Sequence, residues 1–183
     1  MKIKFYSLWL LLLILVIFVL QLIPGFTEAL VLNNKAVTNY QYYRFLTAIF
    51  LHGDITHLFF NLFALFFFGI VLEKLVGSRK FFLIFLLSGI IANIISVNFY
   101  ESSLGASGAI YGIMGALVVI RPFMLVWTFG MLMPIFIASI LWVTADILRI
   151  LGAFGPTNIG SIAHLSGILI GFLLGLLLRK NKN

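Results

Sequence analysis

The sequence predicts an all-α membrane protein, a single bundle of six transmembrane helices whose fourth helix is short and central. Of its 183 residues, 63% are hydrophobic and only 9% are charged, whereas a soluble domain carries about a quarter charged residues. So few charges cannot cover a surface exposed to water, which places the chain in the lipid bilayer. The length suits one domain, residues 1–183, and leaves no room for a second.

Six apolar segments account for the predicted helices. Most of them reach the roughly 17–25 residues that a bilayer requires. The first resembles a signal peptide, but its apolar run is too long and no small-x-small cleavage site follows, so we interpret it as a transmembrane helix. The predicted helices are Phe5–Ile23, Ile55–Val76, Phe81–Val97, Ser107–Ile120, Leu125–Ile147 and Ile159–Leu178.

The longest segment between two predicted helices runs from Pro24 to about Asp54. It lacks a clear period and is long for a connection in a compact bundle. A surface loop is the simplest interpretation. We favour a partly structured element in the membrane interface, where aromatic and basic side chains sit at headgroup level. Those side chains are Tyr40, Tyr42, Tyr43 and Arg44.

The basic residues predict the orientation. Cytoplasmic segments are enriched in lysine and arginine, and a cytoplasmic N-terminus leaves only Lys35, Arg44 and Arg149 outside. We therefore expect a multi-pass protein of the cell membrane with both termini in the cytoplasm. Because the net charge of +7 lies in short runs between apolar segments, it does not indicate nucleic-acid binding. The cytoplasmic basic residues would be Lys2, Lys4, Lys74, Arg79, Lys80, Arg121, Arg179, Lys180 and Lys182.

The fourth segment, Ser107–Ile120, is too short to span a bilayer. It covers roughly 21 Å at 1.5 Å per residue, against a hydrocarbon thickness of about 30 Å. If Arg121 marks the cytoplasmic surface, Ser107 lies below the outer one and the loop before it descends to membrane depth. Irregular backbone at that depth must be buried in protein or line a watery cavity. We therefore expect a cavity that opens outward above Ser107.

Polar residues on three helices share that depth. Ser107, Asn61 and His164 each lie roughly 20 Å from the cytoplasmic edge by the same helical rise. His57 is one turn from Asn61 on the same helix face. Polar groups inside a membrane are costly and usually face a bundle interior or a cavity. The sequence therefore predicts that these four side chains converge on one site.

Glycines on the fourth and sixth helices predict that the two helices pack directly on each other. Gly108 and Gly112 are four residues apart, and a stripe on the sixth helix includes His164. Small residues at this spacing let helix backbones approach closely. His164 would then lie next to Ser107. The glycines of that stripe are Gly160, Gly167, Gly171 and Gly175.

In their order and spacing, these motifs resemble the rhomboid family of intramembrane serine proteases. The resemblance is carried by the segment from His52 to Asn61, by Gly105-Ala-Ser107-Gly108 with Tyr111 one turn later, and by Ala163-His164-Leu-Ser-Gly167. Gly69, Glu73 and Gly77-Ser78-Arg79 add to it. No single motif is strong, but together they are specific. The resemblance also implies a six-helix core, without a seventh helix or a soluble cytoplasmic domain.

The resemblance implies an endopeptidase that cleaves transmembrane segments of membrane proteins near their outer end. Ser107 resembles the family's nucleophile, and His164 resembles its general base. His57 and Asn61 resemble the side chains that stabilise the oxyanion, and Tyr111 resembles the aromatic residue that packs beside the base.

Other residues would support this site. Arg44 resembles the arginine of a Trp-Arg pair in the family's first loop, with Tyr43 here in place of the tryptophan. Gly105, Gly108 and Gly167 are expected to let backbone approach the catalytic residues.

The residues themselves favour a Ser–His dyad without a third acidic member. A serine hydroxyl is inert at neutral pH unless an adjacent base takes its proton, and His164 can do so at about 2.6–3.2 Å. Asp146 is the one acidic candidate, but Arg149 one turn later is its expected partner. We expect no cofactor and no metal. The partners are expected to be the lipid bilayer and transmembrane substrates.

Four alternatives remain open. Ser107 could cap its helix, a role that serine favours. A zinc site could use His52, Asp54, His57 and His164, although the His-Glu-x-x-His spacing is missing. A transporter is disfavoured because there is no inverted repeat with paired broken helices. The main functional alternative is a catalytically inactive rhomboid-like protein that binds other membrane proteins as an adaptor.

Overall fold

The computed structural model describes residues 3–128, 130–155 and 159–180 and is dominated by six long helices. Three of these, α2, α3 and α6, are long and apolar enough to cross a membrane. The predicted all-α bundle is confirmed. Lys2 and Lys182, on which the orientation partly depends, lie outside the described residues, and the orientation stays a prediction. The helices are α1 (Tyr6–Leu20), α2 (Ile55–Val76), α3 (Ser78–Ser96), α4 (Ser107–Ile120), α5 (Ile135–Ile150) and α6 (Ser161–Lys180).

The segment between α1 and α2 is structured. It contains the short helices Phe26–Leu30, Asn34–Thr38 and Arg44–Thr47. A strand, β1 (Leu32–Asn33), pairs antiparallel with β2 (Ser102–Ser103), which precedes α4. The expected partly structured element is thus confirmed, although its place in the membrane interface is untested. This strand pairing connects the segment between α1 and α2 to the residues that precede Ser107.

Further hydrogen bonds strengthen this connection. The Arg44 guanidinium is buried and donates from Nη1 to the carbonyl oxygens of Glu28 (2.6 Å) and Val31 (2.8 Å). The Gly105 amide donates to the Ala48 carbonyl at 2.9 Å. Arg44 therefore holds the loop together, and the loop in turn holds the residues before Ser107.

The fifth predicted helix begins later than the sequence suggested. Residues 125–134 form an antiparallel hairpin of β3 (Leu125–Thr128) and β4 (Met131–Pro134), so the prediction of a helix from Leu125 is wrong. Gly130 has φ +76° in the turn, a conformation that glycine adopts without strain. Pro134 biases the residue before it away from helical backbone. Helix α5 therefore begins after Met133, and in the structure it starts at Ile135 with Pro134 as its extended N-cap.

Helix α4 lies at the centre of the bundle, as predicted. Ten of its residues between Gly108 and Val119 are buried, and it packs against α2, α3, α5 and α6. A helix surrounded in this way has no lipid-facing side, so its small residues serve contacts with neighbouring helices. Ser107 stands at the end of this central helix.

The close approach of α4 and α6 depends on glycine. A Cβ added at Gly167 would overlap the carbonyl oxygen of Gly108, and one at Gly171 would overlap that of Gly112. The predicted packing of glycine stripes is confirmed at these positions. Gly160 is an exception, because the only described atom that a Cβ there would meet is the Ala163 Cβ, at an ordinary 3.7 Å.

The other end of the bundle is joined by a buried carboxylate. Glu73 on α2 accepts hydrogen bonds from the backbone amides of Tyr6 and Ser7, both at 2.8 Å. The hydroxyls of Ser7 (2.7 Å) and Ser78 (2.6 Å) also donate to it. Glu73 therefore ties α1 and α3 to α2, a structural role.

Candidate active site

Ser107 is the first residue of α4 and is half-buried. The N-cap position belongs to Ala106, which makes no side-chain cap bond, so the interpretation of Ser107 as the helix cap is wrong. Among the described residues, its hydroxyl makes no hydrogen bond. The hydroxyl is therefore left for another role.

His164 lies against the face of α4 that carries Ser107. Its imidazole stacks on the Tyr111 ring with centroids 4.2 Å apart and planes 9° from parallel. Tyr111 is one helical turn after Ser107, and residues four apart share a helix face. On the neighbouring backbone, a Cβ added at Gly108 would lie 3.4 Å from the Ala163 carbonyl oxygen. The stack and the glycine contact bring His164 alongside the first turn of α4.

The described structure shows no hydrogen bond between the Ser107 hydroxyl and the His164 imidazole. Bonds of this kind are often long or poorly aligned in a free enzyme and tighten when substrate binds. The contact that chemistry would need therefore remains a prediction, supported by the neighbouring contacts.

Asp146 lies beside His164, which the sequence analysis did not foresee. Its Oδ2 is 3.1 Å from His164 Nδ1, and the side chain is fully buried. Its Oδ1 accepts hydrogen bonds from Arg149 Nη1 and Ser161 Oγ, both at 2.8 Å. The expected Asp146–Arg149 pair is confirmed, but the expectation that no acid reaches His164 is wrong. A carboxylate has two oxygens and can serve both partners.

His57 and Asn61 lie on α2, near the loop that leads to Ser107. Asp54 caps this helix by accepting the His57 amide at 2.8 Å. The His57 ring lies so close to Gly105 (φ +119°) that an added Cβ would be 2.7 Å from Cε1. Asn61 is buried and donates from Nδ2 to the His57 carbonyl at 2.9 Å. Since an amide group carries two N–H donors, one remains for a ligand.

His52 supports His57 from behind. Its ring is buried and meets the His57 ring edge-to-face with centroids 5.0 Å apart. Gln21 brackets its backbone, accepting from the His52 amide at 2.9 Å and donating to its carbonyl at 3.0 Å. Burial, followed by the repulsion of His57, lowers the pKa of His52 from 6.5 to about 4. His52 is therefore neutral at physiological pH.

The lowered pKa of His52 predicts that the protein becomes less stable as the pH falls. The unfolded chain binds a proton at His52 below pH 6.5, whereas the folded protein resists it until about pH 4. The free energy of unfolding should therefore drop by up to about 3 kcal/mol as the pH falls across this window. Unfolding curves in detergent should show a shallower pH dependence for His52→Gln. An unchanged slope between pH 6.5 and 4 would contradict the burial of this ring.

The predicted site residues thus fall into three groups. Tyr111 and His164 stack where Gly108 and Gly167 let α4 and α6 approach, and Ser107 lies one turn before Tyr111 on α4. His57 and Asn61 approach from α2 by way of Gly105. Arg44 donates its hydrogen bonds to carbonyls of the segment between α1 and α2 and holds that loop.

Two expectations about the surroundings are untested or unsupported. One cavity is lined by Lys80, Arg121 and Arg179 at the far end of α4 and does not test the outward cavity above Ser107, which stays a prediction. Among the described residues, no group of three or more histidine, cysteine, aspartate or glutamate side chains could hold a metal ion. The zinc hypothesis therefore gains no support.

Known proteins resemble this chain along most of its length. The model of the Rhomboid domain matches residues 39–181. "Putative rhomboid protease YdcA" of Bacillus subtilis (strain 168) is 34% identical over 81% of this chain and 73% of its own length. Two further relatives are longer, and the chain spans less than half of either.

The first of these is the mitochondrial RHOMBOID-like protein 6 of Arabidopsis thaliana, which is 36% identical over 79% of this chain and 46% of its own length. The second is rhomboid protease GluP of Bacillus subtilis (strain 168), 35% identical over 87% of this chain and 32% of its own length. The domain match covers well over half of the chain and includes every candidate site residue. The chain is therefore a multi-pass membrane protein that belongs to the rhomboid family.

Proposed function

We propose that this protein is an intramembrane serine endopeptidase that cleaves transmembrane segments near their outer end, with Ser107 as nucleophile and His164 as general base. The observation that carries the proposal is the stack of His164 on Tyr111, one turn from a serine hydroxyl that has no structural partner among the described residues. The relatives named rhomboid protease support the same activity.

The residues suggest the following course for the reaction. The Ser107 oxygen attacks the scissile carbonyl while its proton passes to His164 Nε2. The second N–H of Asn61, His57 and a backbone N–H near Ser107 would stabilise the oxyanion, and one such donor is typically worth about 3–4 kcal/mol. His164 then gives its proton to the leaving amine. Water, activated by the same imidazole, hydrolyses the acyl-enzyme and releases Ser107.

The substrate would be a transmembrane segment that unwinds easily. An intact helix keeps its carbonyls in internal hydrogen bonds, and the bilayer offers no water to replace them. Small residues and helix breakers near the cleavage site lower that cost. With the orientation predicted by the basic residues, Ser107 opens to the extracytoplasmic side, where water is available for deacylation.

A fluorophosphonate probe tests the proposal directly, because it forms a covalent bond only with an activated serine. The purified wild type should be labelled, and mass spectrometry should locate the probe on Ser107. Ser107→Ala should not be labelled. As a matched control, Ser166→Ala should be labelled like the wild type, since the Ser166 hydroxyl donates to the Ile162 carbonyl at 2.7 Å. A folded wild type that neither reacts nor cleaves a model substrate would contradict the proposal.

One observation favours the alternative of an inactive adaptor. The Ser107 hydroxyl and the His164 imidazole are not hydrogen-bonded in the described structure. An adaptor would bind transmembrane proteins equally well as the wild type and as the Ser107→Ala variant, and it would leave them uncut. Co-purification of an intact transmembrane partner with the unreacted wild type would support that alternative.

A further inference from the structure

We propose that Asp146 is a positioning residue whose carboxylate holds His164 with its proton on Nδ1, so that Nε2 is free to accept the proton of Ser107. This inference rests on the proposed function, because it assigns a third side chain to the same catalytic pair. Asp146 acts through His164 and does not contact the substrate.

The geometry determines which nitrogen carries the proton. An ionised carboxylate can only accept hydrogen bonds, and Asp146 Oδ2 lies 3.1 Å from His164 Nδ1. Nδ1 must therefore donate. In a neutral imidazole the other nitrogen, Nε2, is then an acceptor, which is the form that a general base requires.

The other oxygen of Asp146 explains how the carboxylate remains ionised while fully buried. A buried charge is tolerated when it is paired and its remaining lone pairs are satisfied. Arg149 supplies a positive charge and Ser161 a hydroxyl, both bound to Oδ1. Because Arg149 and Ser161 both bind Oδ1, they do not compete with His164 for Oδ2.

The orientation of the ring is set from two sides. Tyr111 stacks on the imidazole at 4.2 Å and fixes its plane, and Asp146 fixes its rotation within that plane. During the reaction the Ser107 proton moves to Nε2 and then to the leaving amine, while the Nδ1 proton stays in its bond to Asp146. No proton is transferred to the carboxylate, so the charge of the imidazolium is balanced where it forms.

A purely structural role makes a different prediction. Through Ser161 the carboxylate also joins α5 to the start of α6, and a contact that only joins the two helices would affect stability alone. The two roles separate when the Ser161 bond is removed, because Oδ2 still faces His164 and Arg149 remains paired with Oδ1.

The experiment compares Asp146→Asn with Ser161→Ala, measuring kcat, KM, the unfolding midpoint and the histidine tautomer by ¹⁵N NMR. In Asp146→Asn, the amide oxygen can stay on Arg149 and Ser161 while the NH₂ group faces Nδ1. The imidazole must then shift its proton to Nε2. We expect kcat to fall by roughly 10²- to 10⁴-fold with little change in KM. Ser161→Ala should keep the wild-type tautomer and a kcat close to wild type, because Arg149 still supplies the positive charge beside Asp146, even if its unfolding midpoint falls.

Three results would overturn the inference. One is a wild-type kcat in folded Asp146→Asn. Another is a loss of rate in both variants that follows their loss of stability. The third concerns the wild type itself, namely a His164 that carries its proton on Nε2. The chain has three histidines, so His52→Gln and His57→Gln assign the NMR signals.

The NMR measurement also distinguishes the two proposals. If the wild type proves inactive towards substrate and probe, the proposed function fails. The His164 tautomer in the resting protein would still show whether Asp146 positions the ring.

Discussion

Alanine at Ser107 is expected to abolish proteolysis. The variant lacks the proposed nucleophile, and kcat for a model transmembrane substrate should fall by roughly 10⁴- to 10⁶-fold. His164→Ala should lose activity to a similar extent, because a serine hydroxyl without its base stays protonated. Cleavage by purified protein in proteoliposomes, followed on a gel, measures both losses.

The double variant makes this prediction sharper. Residues that act as a unit are not additive, so Ser107→Ala with His164→Ala should be no slower than either single variant. Ser166→Ala serves as the control and should cleave at the wild-type rate. Equal cleavage by the wild type and Ser107→Ala would exclude this serine as the nucleophile.

A single methyl group at Gly171 is expected to destabilise the bundle strongly. The new Cβ would overlap the carbonyl oxygen of Gly112, and backbone on a central helix cannot move aside as a side chain can. If α4 and α6 move apart to make room for the methyl group, they lose van der Waals contacts along their whole interface. We expect Gly171→Ala to lower the free energy of unfolding by about 2–4 kcal/mol, measured from denaturation curves in detergent.

Gly160→Ala is the matched control for this effect. It adds the same methyl group in the same predicted stripe, but within the described part of the chain the new Cβ would meet only Ala163, at 3.7 Å. Its unfolding midpoint should stay near that of the wild type. If Gly171→Ala and Gly160→Ala have the same unfolding midpoint, the two helices are not as close at Gly171 as described.

The sequence predicts most of the helices correctly. The exception is the helix predicted from Leu125, because the structure has a β-hairpin up to Pro134. An apolar run from Leu125 to Ile147 fits a transmembrane helix by length and composition. Periodicity alone cannot distinguish a short apolar strand from a helix segment. Gly130 and Pro134 were the visible signals against a helix. Each breaks helical backbone, and together they confine α5 to residues after Pro134.

The sequence predicts the membrane depth of the candidate site residues but not all of their contacts. Ser107 and His164 were expected at one level, and the structure stacks His164 beside the first turn of α4. Asp146 was assigned to Arg149 because residues three apart on a helix are neighbours in any fold. Its contact with His164 depends on which side of α5 faces α6, and local spacing carries no information about that.

Composition and spacing alone determined that the chain lies in a membrane, how many long helices it forms and which polar residues share a depth. These follow from the energetic penalty of charge in lipid and from the constant rise of a helix, which hold for every sequence. Only the tertiary structure decided which side chains meet. Glycine contacts between α4 and α6 set the rotation of each helix about its axis, and that rotation brings Tyr111 and Asp146 to two sides of one imidazole.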